Sequence, residues 1–343
     1  MAIQEPWFAL ARPVAVAAAN ACGIQVQRIT PLAHAENTTF CIYGVYEGLA
    51  GRFVVRIHRD GYHTAHRVRS ELDWLQALRK DLHLTVPEPV PVSDTNELVQ
   101  THVLQGILRH VVVFRWVSGR MLRKGGRPVH TQRLAQLVAR LHQHAAQWDR
   151  PELFSRLHLD TAAYFDGIPE MGTCEEAEQI ARSTSGAVGK QLQRVVRAAH
   201  VLREWGHDRY AALDCGTRPL LIHADLHLGN VVFSGREVCP IDFDDSAFSH
   251  PMIDLAVVLR RSSAEHRHAA VAGYRSVQAL PEEWVQALPV FICARQVQVS
   301  WWAVPRVSDS ADMRLHLPRM VERLEHLARQ VERQETDWLT FGV

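Results

Sequence analysis

Residues 221–243 constrain this chain more than any other stretch. A short apolar entry leads into His223-Ala-Asp-Leu-His-Leu-Gly-Asn230. Val231-Val232-Phe233 follows, then a turn at Ser234-Gly235 and an apolar run from Val238 to Phe243. The pattern predicts two short strands after a polar loop. The surrounding sequence reads as helix: Leu134, Leu137, Val138 and Leu141 share one helical face, as do Val321, Leu324, Ala328 and Val331 in a last helix around 318–333. Residues 171–218 are more polar and predict helices joined by flexible loops.

The N-terminal part has a different period. Phe40, Ile42 and Gly44 alternate with Cys41, Tyr43 and Val45, then Glu47-Gly-Leu-Ala-Gly51 supplies turn residues and Arg52 to His58 reads as a second strand, so a hairpin is expected. Apolar residues at 68, 72 and 75 predict a helix over 68–80 that contains Glu71. The prolines of 86–92 exclude a helix there. His110 to Trp116 reads as a buried strand, broken by Ser118-Gly119. The expected organisation is a strand-rich lobe over 1–117 and a helical lobe over 118–343, an α+β class.

With 343 residues, 47% hydrophobic and 22% charged, the chain has the balance of a soluble globular protein and can bury a sizeable core. Its net charge of +1 supplies no global field for nucleic acid or an anionic membrane. No apolar run reaches the roughly 20 residues of a membrane span. The six scattered cysteines contain no CxxC pair and read as reduced thiols of a cytoplasmic protein. The apolar start carries Glu5 before its core and Arg12-Pro13 within it, which favours an amphipathic first helix over a signal peptide.

The chemistry lies in three side chains. Asp225 and Asn230 are five apart, and Asp242 follows at the end of an apolar strand. Phosphoryl transfer needs a carboxylate to orient the attacking hydroxyl and accept its proton, together with hard oxygen ligands for magnesium. Asp225, Asn230 and Asp242 supply that inventory. His223, Asp225 and His227 would share a face on a strand and could then bind zinc, but that leaves Asn230 and Asp242 unexplained. His63 and His66 read as a solvated loop. Asp244 and Asp245 fit either a second metal or cationic substrate, or a solvated face. Trp301-Trp302 with Arg295 fits a substrate pocket or core packing.

HADLHLGN followed by IDFDD resembles the aminoglycoside phosphotransferase and choline kinase group, relatives of the protein kinases. The resemblance spans roughly residues 30–260. It implies a bilobal protein-kinase-like fold, with ATP between the lobes and Mg2+ as the metal. It makes Asp225 the catalytic base, Asn230 and Asp242 the metal ligands, His223 a buttress of the catalytic loop and Asp254 a structural partner of that loop. Residues 31–39 occupy the place of the phosphate-covering loop. Arg56 stands where the strand lysine of the wider kinase pattern would be, with Glu71 as its helix partner. Arginine is a planar fork and lysine a point charge, but an arginine–phosphate contact is physically sound. Phe114, Trp116 and Val117 fall in the hinge that would meet adenine.

The implied activity is transfer of the γ-phosphate to a hydroxyl of a small molecule: an amino alcohol, a homoserine-like compound, a sugar or an aminoglycoside. The alternatives are a protein Ser/Thr kinase of the same fold and a catalytically inactive nucleotide-binding module. The short stretch from Asp242 to the next helix leaves little platform for a peptide, and intact Asp225, Asn230 and Asp242 argue against an inactive module.

Overall fold

The computed structural model describes residues 5–34, 37–122, 126–307 and 310–343. The chain divides into two compact units. The first comprises Met1–Arg120, Asp149–Arg156 and Val232–Asp244; the second comprises Met121–Trp148, Leu157–Val231 and Asp245–Val343.

The first unit is built on a five-stranded sheet. Its strands are β1 (Gln25–His34), β2 (Thr38–Tyr46), β3 (Leu49–Ile57), β4 (Gln100–Leu104) and β5 (Ile107–Arg115), in the order β1-β2-β3-β5-β4. All pairings are antiparallel. The β2–β3 hairpin turns on Glu47 (φ 51°) and Gly48 (φ 78°) alone, with Tyr46 paired to Leu49. Two successive left-handed residues match the twist of the flanking strands, so the turn is tighter than the expected Glu47–Gly51 segment. Helix α1 (Glu5–Ala21) packs on one face of the sheet. Its small buried residues Ala11, Ala15 and Ala18 let the helix approach Phe40, Ile42, Val55, Val111 and Val113 closely. Strand alternation puts Arg56 on the opposite face from Val55 and Ile57.

Helix α2 (Ala65–Leu82) begins with the Thr64 hydroxyl accepting from Arg67 N and ends at the left-handed His83 (φ 52°). Both caps satisfy terminal groups that the helix cannot pair internally. Its buried face carries Val68, Leu72, Trp74, Leu75 and Leu78, with Glu71 the charged exception. Trp74 meets Phe243 edge-on at 5.3 Å between ring centres. The hairpin Val231–Ser234 and Glu237–Pro240 leads into that phenylalanine. Its second strand stops earlier than expected. Pro240 lacks an amide N–H to continue a ladder, and Asp242 adopts φ 64°, so Asp242 follows the strand and does not end it.

The second unit is helical. It contains α3 (Pro128–Gln147), α4 (Thr161–Phe165), α5 (Cys174–Ser183), α6 (Gly186–Asp214), α7 (Met252–Leu259), α8 (Ala264–Arg275), α9 (Glu282–Gln286), α10 (Leu288–Ala303) and α11 (Ala311–Glu332). Only Thr184 and Ser185 separate α5 from the 29-residue α6, where the sequence predicts flexible loops between helices. Gly189 permits this tight junction, because a Cβ there would lie 1.8 Å from the Thr184 carbonyl oxygen. A small sheet frames the polar loop: Leu220–Ile222 pairs antiparallel with Ala247–Ser249, which pairs parallel with Leu157–Leu159.

Trp74 is fully buried whereas Leu49 is 75% exposed. Replacing Trp74 with Ala is expected to cost about 3–5 kcal/mol. Leu49→Ala should stay within about 0.5 kcal/mol of the parent protein. Denaturant unfolding followed by circular dichroism checks both values.

Candidate active site

In the second unit, strand Leu220–Ile222 ends and the chain enters the polar loop through Ala224 in the left-handed region (φ 65°). That conformation costs roughly 1 kcal/mol or more for a residue other than glycine, and persists only where the surroundings enforce it. Asp254 near the start of α7 does so. Its Oδ1 accepts from Ala224 N at 2.7 Å, and its Oδ2 accepts from His223 N and lies 3.1 Å from His142 Nε2. Asp254, His142 and His223 are all essentially inaccessible. Asp254 therefore supports the loop, as the resemblance implied. His223 Nδ1 in turn faces Asp225 N at 3.4 Å.

The loop then closes on itself. Asp225 O accepts from His227 N, His227 O accepts from Asn230 N, and Leu228–Asn230 forms one 3₁₀ turn. The His227 ring caps this turn, its Nδ1 accepting from Gly229 N at 2.9 Å. The His223–His227 alternation therefore does not lie on a strand, and the face that a zinc reading requires is not formed.

The Asn230 amide nitrogen donates to both Asp225 O and Asp225 Oδ2 at 3.0 Å. This fixes the amide orientation and leaves Asn230 Oδ1 without a partner among the described residues. On the other side Arg295, from α10, places Nη2 at 3.1 Å from Asp225 Oδ1 and 3.9 Å from Asp245 Oδ2. Arg295 is 8% exposed, and its Nη1 also donates to Gln298 Oε1. Burial alone would raise the Asp225 carboxyl, but Arg295 and then His227 outweigh it and hold Asp225 below the usual carboxylate range. A carboxylate offers about four acceptor positions; the two hydrogen bonds leave room for a hydroxyl donor.

In the first unit, Arg56 Nη2 meets Glu71 Oε2 at 2.5 Å, with both side chains almost completely buried. Arg56 Nη1 lies 3.8 Å from Asp242 Oδ1 and 4.0 Å from Asp244 Oδ1. Its guanidinium sits over the Phe114 ring at 5.0 Å. Asp242 keeps 54% of its side chain exposed. Asp244 is buried instead: Asn37 donates to its Oδ2 at 2.7 Å, and His58 Nδ1 stands 3.3 Å from its Oδ1. His63 and Arg156 hydrogen-bond its carbonyl oxygen. Burial would raise the Asp244 carboxyl, but Arg56 foremost, then His58, holds it well below the carboxylate range. Asn37 also accepts from Arg59 N at 3.2 Å, so one side of the predicted phosphate-covering loop is tied down; Ala35 and Glu36 of that loop lie outside the described residues.

In the predicted hinge, Trp116 N donates to Arg52 O at 3.1 Å and Arg115 N to Glu88 O at 2.8 Å. Val117 N keeps no such partner among the described residues.

A family described as the phosphotransferase enzyme family matches residues 28–287. The chain belongs to this family. The phosphotransferase is similar over 95% of its length, and all of the other chain, to the microcompartment-associated aminopropanol kinase, at 28% identity and a TM-score of 0.75. An amicoumacin kinase in complex with AMP-PNP and Ca2+ matches at 20% identity and a TM-score of 0.68, covering 96% of this chain and 95% of that one. A spectinomycin phosphotransferase bound to ADP and spectinomycin matches at 12% identity and a TM-score of 0.65, covering 94% and 98%. The last two likenesses carry the fold: mixed α+β, protein-kinase-like, with an antiparallel strand-rich N-terminal part and a helical C-terminal part. No curated protein matches the chain. None of its described helices is long and apolar enough to cross a membrane.

Two residues have more defined roles than the sequence suggested. Asp244 is 4% exposed and is a hub of the first unit, so neither Asp244 nor the 6%-exposed His63 belongs to a solvated face. A carboxylate within a charged run gives no warning of burial. Arg295 did carry a signal: a lone cation inside the apolar helix LPVFICARQVQVSWWA needs a partner when buried. Trp301 is core, its Nε1 donating to Phe165 O at 2.9 Å. Trp302 lies beneath the Arg306 guanidinium.

Burial pushes His63 and His250 down from 6.5 to about 3. Both are neutral in the folded protein across that range, while the unfolded chain takes up their protons. Stability should therefore fall as pH drops from 6.5 towards 3, by up to about 1.4 kcal/mol per pH unit for each histidine. The depressed Asp244 adds a further loss below the ordinary carboxylate range, because its stabilisation is present only above it. Urea midpoints measured between pH 7 and pH 3.5 check this; His63→Gln should flatten the upper part of the curve.

Proposed function

We propose that this phosphotransferase moves the γ-phosphate of ATP to a hydroxyl of a small molecule, with Mg2+ as the metal. The observation that carries the reading is the arrangement at Asp225. Its carboxylate is ionised, oriented by Asn230 on one oxygen and by Arg295 on the other, and retains free acceptor positions. In the proposed role Asp225 accepts the hydrogen bond of the acceptor hydroxyl, directs its oxygen at the phosphorus and takes up the proton as the bond forms.

Asn230 and Asp242 are each proposed as a ligand of a hard cation. Asn230 offers an amide oxygen whose nitrogen is already committed, and Asp242 offers an exposed carboxylate. When bound, Mg2+ would neutralise charge developing on the phosphates. Arg56, oriented by Glu71 and retaining its charge, is proposed to hold phosphate oxygens, with Asn37 fixing the covering loop. Phe114, Trp116 and Val117 are proposed to meet adenine, Val117 N being the available donor.

A small acceptor is favoured because α7 begins at Met252, soon after Asp242, and the short stretch between them leaves little platform for a peptide. The likeness to an aminopropanol kinase makes amino alcohols the first acceptors to try, with aminoglycosides, homoserine-like compounds and sugars next.

Labelled ATP offered with a panel of these hydroxyl compounds should label at least one small acceptor in a divalent-metal-dependent reaction. Labelling of protein substrates alone would reverse the choice, and no transfer to any class would contradict the reading. Arg295→Gln removes the cation that depresses Asp225, so the acidic limb of the kcat/KM profile should move to higher pH; an unmoved limb would show that Asp225 does not set it.

A further inference from the structure

Away from the polar loop, the second unit brings together a second set of ligating side chains. Cys174 is the first residue of α5, Glu178 lies one turn on, and His200 comes from α6. An i, i+4 pair shares one face of a helix, the spacing that lets a single helix supply two ligands to one ion. Cys174 Sγ lies 3.7 Å from Glu178 Oε1, and His200 Nε2 lies 2.9 Å from the same oxygen. The three ligating atoms all fall within 4.8 Å of one another. Tetrahedral zinc, with bonds of about 2.3 Å to sulfur and about 2.0–2.2 Å to nitrogen and oxygen, separates its ligand atoms by roughly 3.2–3.8 Å. Small side-chain rotations bridge the difference.

The surroundings leave these atoms available. The second oxygen of Glu178 is taken by Arg182 Nη1 at 3.0 Å, which orients the carboxylate with Oε1 towards Cys174 and His200. Arg203, whose charge also acts on Cys174, is engaged by Asp166. All three ligand residues are partly exposed, so an ion can enter and a water can complete the fourth position. The scaffold is set before any ion arrives. Thr173 caps α5 by accepting from Glu176 N at 3.2 Å, Gly189 permits the tight α5–α6 junction, and the His200 ring packs 5.6 Å from Trp301 of α10.

We propose that Cys174, Glu178 and His200 form a binding site for a zinc-class divalent cation, separate from the hard-oxygen set of Asn230 and Asp242. Thiolate, imidazole and carboxylate together select zinc over magnesium. Binding displaces the thiol proton of Cys174 to solvent, forms the metal–sulfur bond and leaves no redox change. In the free protein burial, and then Glu178, keeps that proton on sulfur by raising the thiol to about 11, so binding strengthens with pH.

Cobalt(II), a coloured stand-in for zinc, tests the site in the full-length protein after chelator treatment. One equivalent should give an intense tetrahedral visible spectrum with a thiolate charge-transfer band, unaffected by excess Mg2+ and displaced by Zn2+. Cys174→Ser should abolish the band, and His200→Gln should weaken binding by about 100-fold or more, beyond the range for orienting residues. Cys215→Ser, at the exposed cysteine, should change neither. Zn2+ should also raise the melting temperature of the parent protein and leave that of Cys174→Ser unmoved. Absence of a thiolate band at saturating Co2+, its persistence in Cys174→Ser, its loss in Cys215→Ser or its displacement by Mg2+ would each overturn the assignment. None of these readouts requires phosphoryl transfer.

Discussion

Asp254 is the constraint on which the second unit depends. A fully buried carboxylate is costly unless its lone pairs are filled. Here they are filled by two consecutive backbone N–H groups, of His223 and Ala224, and by contact with His142. The same bonds hold Ala224 in a left-handed conformation and turn the chain out of its strand, which starts the loop that presents Asp225. From there the polar loop largely supports itself, through the His227 cap and the Asn230 amide. Arg295 enters from α10 as the external tether.

The first unit solves a related problem with more charges. Arg56 is balanced by Glu71 in direct contact and by Asp244 and Asp242 at longer range. Arginine suits this position because its planar fork reaches one carboxylate with one nitrogen and turns the other towards a second. Asp244 links this group to Asn37 and so to the loop after β1. The charge at Arg56 is thereby retained although the side chain is almost completely buried, a property that a phosphate-binding cation needs.

Much of this was legible in the sequence wherever a period or a motif was long enough. The β2–β3 hairpin followed from strict alternation, α2 from its apolar spacing, and the partnership of Arg56 with Glu71 from the family resemblance. The three-residue strands Leu157–Leu159 and Ala247–Ser249 were not legible, because strands so short are selected by tertiary pairing and leave no pattern of their own. The early end of the Glu237–Pro240 strand was encoded in Pro240, whose missing donor was overlooked beside the apolar run. The burial of Asp244 and His63 could not be read, since partner atoms from Asn37, Arg56 and Arg156 meet them only after folding. The zinc-type cluster escaped notice for the same reason: Cys174 and Glu178 are neighbours on a helix, but His200 joins them only through the packing of α5 on α6.

The central claim is that the carboxylate of Asp225 handles the proton of the acceptor hydroxyl. The most direct test is the transfer rate of Asp225→Asn with an identified acceptor, alongside its circular dichroism and melting profile. The substitution keeps the shape and removes the base. Transfer should fall by about 10²-fold or more, with the folded structure retained. Turnover by a folded Asp225→Asn protein at the parental rate would contradict the account.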